Sequence, residues 1–257
     1  MRQTRRRFLA TAGLAAAGVG SVAGCTGRTG SAASAGDGGD GETSTGESMG
    51  GETGTASGGS ADGTGSGGDE TLAGHPAAQG LDGQPTLGTA EATATIIAFE
   101  DPSCPRCRAF ERNTVPQLRS ELVDTGQARF VARTYPVIYP WGEPAVHALE
   151  ATFARSPEAF WGLFAHYFAE QDSFSTENVL ARTEEWLAAN TDLDGASVVA
   201  DAEAEAYAEE VQADLDAGEA ANVGRTTPTV FLFRDGEYVT RAGGSVSFDL
   251  ISSALGL

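Results

Sequence analysis

Cys104-Pro105-Arg106-Cys107 sets two thiols about one helical turn apart, a spacing that supports three kinds of chemistry. The pair can exchange disulfides, supply half of a tetrahedral metal site, or close as a small structural disulfide. A zinc site needs four N, S or O ligands, usually with a second Cys or His pair. Here the remaining cysteine is Cys25, and His75, His147 and His166 are scattered singly. A structural bond across two residues closes a tiny loop and constrains little unfolded-chain entropy, so it is a poor staple.

Exchange chemistry uses this spacing better. At the start of a helix, unpaired N–H groups and the helix dipole favour an anion. A thiol there falls from ~8.5 to between about 3.5 and 7. Cys104 is then the exchanging sulfur, and Cys107, one turn along, is placed to resolve a mixed disulfide. Ser103 is positioned to cap the helix, and Arg106 between the sulfurs adds a positive charge that lowers the Cys104 pKa further.

A second feature lies over 120 residues downstream: Thr226-Thr227-Pro228-Thr229 stands immediately before an apolar strand, TVFLF. Proline cannot donate to a strand ladder, so its place at a strand start calls for a reason. Thr93–Phe99 (TATIIAF) reads as a buried strand ending at Glu100-Asp101-Pro102. Helical periodicity runs from Pro105 to about Val123, with Pro116 expected to bend it. Ala128–Thr134 is a second strand. Three helices with apolar stripes follow between Glu143 and Asn190, the second starting at Ser156-Pro157 as cap and first helical residue. A long helix spans Ala196 to about Asp216. A hairpin then forms from Thr229–Arg234 and Glu237–Ala242 around Asp235-Gly236, and a closing helix spans Phe248–Leu255. The order is β-α-β, helices, then β-β-α.

That order, the CxxC after the first strand and the Thr-Pro before the third resemble the thioredoxin superfamily over most of residues 90 to 257. More narrowly, FEDPSCPRCRAF with TTPTVFLFRDG and a helical block between them resembles the DsbA-like thiol–disulfide oxidoreductases. The fold implied is α/β, a thioredoxin fold with a helical insertion at about 142–195. The resemblance implies Cys104 as nucleophile, Cys107 as its partner, Pro228 as a cis-proline, and Thr227 presenting its backbone to an extended substrate peptide. It further implies an exported protein whose substrates carry cysteines, and an electron-accepting membrane partner of the DsbB or vitamin-K-epoxide-reductase kind. The Pro105-Arg106 dipeptide leans towards a disulfide donor that needs no cofactor. A reductase serving cytochrome or copper-site cysteines is the enzymatic alternative, and an anchored binding or chaperone module with a structural disulfide is the non-enzymatic one. No dimerisation module is visible, so the expected state is a monomer. One departure stands out: Ala98 occupies the position, six residues before Cys104, where family members often carry a buried acid. Glu100 and Asp101 are expected to point elsewhere, as solvated carboxylates.

Outside the domain, Thr4-Arg5-Arg6-Arg7-Phe8-Leu9 resembles a twin-arginine export signal. An apolar stretch, Ala10–Gly20, follows, too short to span a membrane. Val22-Ala23-Gly24-Cys25 looks like a lipobox, giving a signal over 1–24 and lipid attachment at Cys25 on the outer face of the membrane. Residues 26–70 contain no Val, Ile, Leu, Phe, Tyr or Trp. Such a composition reads as a disordered tether, leaving 71–257 as the domain. The 257-residue chain carries 16 Arg, no Lys and 36 acids, a net charge of −20. This excess repels nucleic acid and anionic membrane surfaces. It also resembles proteins of salt-loving archaea, where concentrated salt screens the repulsion.

Overall fold

The computed structural model describes residues 70–257. The segments expected to form the export signal, the Cys25 lipobox and nearly all of the tether lie outside the described residues. Strands β1 (Thr86–Leu87), β2 (Ala94–Glu100), β3 (Ala128–Thr134), β4 (Thr229–Arg234) and β5 (Glu237–Gly243) form one sheet in the order β1-β3-β2-β4-β5. β2 and β3 are parallel, with Ile96 opposite Phe130, and β4 runs antiparallel to β2, with Ile96 opposite Leu232. Every residue of β2 is buried, which its unbroken apolar run requires of a central strand covered on both faces. Asp235 and Gly236 turn the hairpin with φ of 52° and 81°, the left-handed conformation that an Asp-Gly pair supplies.

Alternate residues of β2 feed two cores. Ala94, Ile96 and Ala98 face the cysteines, the helical insertion and the last helix, whereas Ile97 and Phe99 face Tyr135, Phe231 and Phe233. The insertion consists of α3 (Gly142–Phe153), α4 (Pro157–Ala169) and α5 (Val179–Asn190), followed by α6 (Gly195–Glu203). Ser156 Oγ caps α4 by accepting from Ala159 N at 3.1 Å. Along the buried face of α4, Phe160 then stacks on Phe164, which meets Phe168 edge-on. The α/β architecture with its helical insertion is therefore as the element order implies.

Two helices read as continuous are broken. The first runs only through α1 (Pro105–Asn113). Past Thr114 come a short turn, α2 (Val115–Gln117), and a π-helical turn at Leu118–Val123. Pro116 has no N–H to continue α1 and so begins a new turn, while Thr114 Oγ1 donates to Val246 O at 2.8 Å and ties the break to the loop after β5. The second divides into α6 and α7 (Ala208–Ala220), with Glu205 at φ 50° between them. Both halves pack on α3, but α6 also packs on α5, whereas α7 turns to β3 and the N-terminal turn at Pro76–Ala78. The edge strand β1, too short to leave a periodic signal, was not foreseen. The chain closes with α8 (Phe248–Leu255), and no helix among the described residues is long and apolar enough to cross a membrane.

Candidate active site around Cys104 and Cys107

β2 delivers the chain to its C-terminal end, and α1 begins there. Cys104 is itself the N-cap of α1, with extended backbone (φ −81°, ψ 122°), and Pro105 is the first helical residue. Both cysteines are free thiols; Cys104 is 1% exposed and Cys107 0%.

Ser103 does not cap the helix. Its hydroxyl donates to Asp101 Oδ1 at 2.6 Å and accepts from Tyr139 N at 3.0 Å. Asp101 also accepts Ser103 N at Oδ1 and, at Oδ2, Val137 N at 2.8 Å and Ile138 N at 2.7 Å. The expectation of a solvated Asp101 thus fails: the carboxylate is fully buried because four donors replace water, and these welds join the active-site loop to the segment leading into α3. Burial lifts its pKa against the four hydrogen bonds, which lower it.

The sulfurs are driven apart. Cys104 is lowered to about 5, first by the hydrogen bond from the Cys107 thiol, against burial, and then by the Thr227 side chain and the backbone N–H groups of Cys107 and Arg106. Arg106 thus acts through its backbone; its guanidinium is exposed and reaches over Gly244. Burial, the donation to Cys104 and the charge of Glu100 push Cys107 well above the ordinary thiol value.

Across from Cys104 lies the loop before β4. The Thr227–Pro228 peptide is cis, and Cys104 Sγ donates to Thr227 O at 3.3 Å. Thr227 Oγ1 is buried with no hydrogen-bond partner, and Pro228 O accepts Gly244 N at 2.8 Å. On the other side of Gly244 a groove of about 300 Å³ opens between Arg106, Phe110 and Thr114 of the α1 side and Gly244, Ser245 and Val246.

Sequence reasoning missed Glu100. It was expected to point to solvent, yet it is fully buried and neither carboxyl oxygen has a partner. Strand alternation carries the signal that could have found it: residues 98 and 100 share a face, so Glu100 points to the cysteine side beside the vacancy left by Ala98. Burial is the main cause that raises its pKa far above the carboxylate range, followed by the neighbouring carboxyl of Glu111 and by Cys104. Glu111 is half-buried as a residue, but its Oε1 is enclosed without a partner, and burial raises its pKa too. Arg119 partly offsets the effect at Glu111, which is raised to about 7, so Glu100 is the carboxyl that holds its proton at neutral pH.

The thioredoxin family model matches residues 81–247. The chain is 26% identical over 153 residues to disulfide bond formation protein D of Bacillus subtilis, spanning 59% of this chain and 68% of that protein. A match of the same identity to the probable disulfide bond formation protein D of Bacillus cereus covers 40% of this chain and 44% of that one. Among solved structures, oxidised BdbD from Bacillus subtilis superposes with a TM-score of 0.61 at 22% identity, over 68% of this chain and 92% of that chain. Chlamydia trachomatis DsbA superposes with a TM-score of 0.56 at 21% identity, over 67% and 88%. The chain belongs to the thioredoxin family, in the DsbA-like form of the fold that carries an inserted helical region.

Proposed function

We propose that the chain is a thiol–disulfide oxidoreductase that donates its Cys104–Cys107 disulfide to cysteines of exported proteins. The observation that carries this reading is the opposed titration of the two sulfurs, with Cys104 lowered to about 5 and Cys107 raised. A stabilised Cys104 thiolate favours the dithiol form, which makes the disulfide a strong oxidant. In the forward reaction a substrate thiolate attacks Cys104 Sγ, and Cys107 leaves with the electron pair of the broken bond. Glu100, protonated beside it, supplies the proton that a buried Cys107 requires. A second substrate thiolate then attacks the substrate sulfur of the mixed disulfide and expels Cys104 as its stable thiolate. The substrate loses two electrons and the protein gains them as a dithiol. The backbone of Thr227, in contact with Cys104, is the edge on which an extended peptide aligns.

Export rests on the twin-arginine-like segment, and attachment at Cys25 and the tether rest on sequence alone. The membrane partner that reoxidises the dithiol rests on the family resemblance. The deciding experiment is the reduction potential of the Cys104–Cys107 pair, measured at high salt. A value above roughly −200 mV is expected; one below about −300 mV would mark a structural bond and overturn the reading. In cells, Cys107→Ala should accumulate mixed disulfides through Cys104, and Cys104→Ala should abolish exchange.

A further inference from the structure

We infer that Gln171, contributed by the helical insertion, is a positioning residue for the Cys104 sulfur. Gln171 opens the turn Gln171–Ser173 just after α4 and is buried. Its side-chain amide Nε2 donates to Pro102 O at 2.7 Å and to Cys104 O at 3.0 Å. An amide nitrogen has two hydrogens, and these carbonyls take both.

The two carbonyls flank Ser103, whose N–H and hydroxyl are bound to Asp101. The backbone from 102 to 104 is thus gripped by Asp101 of the sheet end and by Gln171 of the insertion. Cys104 O also accepts Arg108 N at 3.1 Å, the first hydrogen bond of α1, so Gln171 fixes the peptide unit on which the helix starts. The Cys104 sulfur depends on that unit for its aim. It meets Thr227 O at 3.3 Å and takes support from the Cys107 thiol and the N–H groups of Arg106 and Cys107, and hydrogen bonds weaken steeply as their angles open. Without Gln171, Pro102 O loses a buried donor and the N-cap residue is held from one side only.

The adjacent residue supplies the control. Asp172 pairs with Arg108 Nη1 at 2.7 Å across the same junction, but its side chain is 85% exposed, so the pair contributes little. If the junction were merely glue, both contacts would act alike.

This inference rests on the reading of Cys104 as the exchanging sulfur, and the full chain tests it. Reduced Gln171→Met, which keeps length and volume but not the donors, is titrated by thiolate absorbance beside Asp172→Asn and the unaltered protein. Gln171→Met should move the Cys104 midpoint up by about half to one pH unit, the equivalent of one lost hydrogen bond, and Asp172→Asn should leave it in place. Gln171→Asn, one methylene too short to reach both carbonyls, should shift it in the same direction and stands in if the Met variant fails to fold. A midpoint unchanged in whichever variant folds, whatever happens to Tm, overturns the inference. A wild-type midpoint near the ordinary thiol value would instead overturn the disulfide-donor reading, while the difference between variant and wild type would still judge Gln171.

Discussion

Cys104 and Cys107 lie within one helical turn yet titrate in opposite directions, because one collects donors and the other is enclosed beside acids. Thr227 is the group most open to test, since its buried hydroxyl has no hydrogen-bond partner while its side chain helps to lower Cys104. Thr227→Val keeps the shape and removes the donor, and should raise the Cys104 midpoint by about half to one pH unit, read from thiolate absorbance. Glu100 is tested differently. Glu100→Gln keeps a neutral polar group but removes the exchangeable proton. The rate of mixed-disulfide formation and resolution in stopped flow should fall by about 10²-fold at neutral pH. The Cys104 midpoint should barely move, because Glu100 is already uncharged in that range. The motif itself was legible in the sequence, as were the Thr227-Pro228 partner loop and the vacancy at Ala98. Glu100 was misread because its burial depends on what covers that face of β2. Asp101 and Ser103 were misread because their partners, Val137, Ile138 and Tyr139, lie more than thirty residues away.

Strands were more legible than helices. A central strand needs an apolar run, which β2 and β4 carry, and β3 shows Phe130, Val131 and Ala132 between two arginines; a helix needs only an apolar stripe, which continues across a break as readily as through a turn. The stripes therefore spanned the breaks at Thr114 and Glu205 without showing them. Close approach of α7 to the sheet is another property that only the assembled elements reveal. A Cβ on Gly218 would lie 2.3 Å from Cε2 of Tyr135, a residue whose ring packs edge-on against Phe99. Alanine normally favours a helix over glycine by about 1 kcal/mol, whereas overpacking a core costs about 1–3 kcal/mol. Gly218→Ala should therefore destabilise the protein by up to about 2 kcal/mol, seen as a lower urea midpoint at unchanged m-value. A gain in stability would mean that α7 stands farther from Tyr135.

At the scale of the molecule, a buried charge network joins parts of the chain far apart in sequence. Arg133 is fully buried; Nη1 donates to Asp214 Oδ1 at 2.6 Å and Nε to Ala77 O at 2.9 Å. Asp214 Oδ2 accepts Thr134 N at 2.8 Å, and Oδ1 also accepts Gln84 Nε2 at 2.9 Å. β3, α7 and the N-terminal segment are thus tied at one point. Glu150 of α3 lies beside Asp214 without a cation of its own, and burial together with that neighbour raises its pKa to about 8. The folded chain holds this proton more tightly than the unfolded chain, whose value is near 4.5. Its contribution to stability is full below 4.5 and is lost as the pH rises through about 8. Glu150→Gln cannot ionise, so it should gain stability relative to the unaltered protein between about pH 5 and about pH 9, measured as Tm at matched salt. An equal Tm difference at both ends would show that Glu150 does not titrate in that window.

The succession of the four longer strands along the chain, the place of the two thiols at a helix start and their partnership with Thr227-Pro228 are all readable in the sequence. Each of these is written in a local pattern: a run, a spacing, or a residue whose backbone chemistry is restrictive. Folding alone buries Glu100 on the cysteine face, turns Ser103 to Asp101 rather than to the helix, and brings Gln171 of the insertion onto the backbone of Cys104. Burial and hydrogen-bond partnership are properties of what packs on a residue, and at these positions the packing groups come from distant parts of the chain.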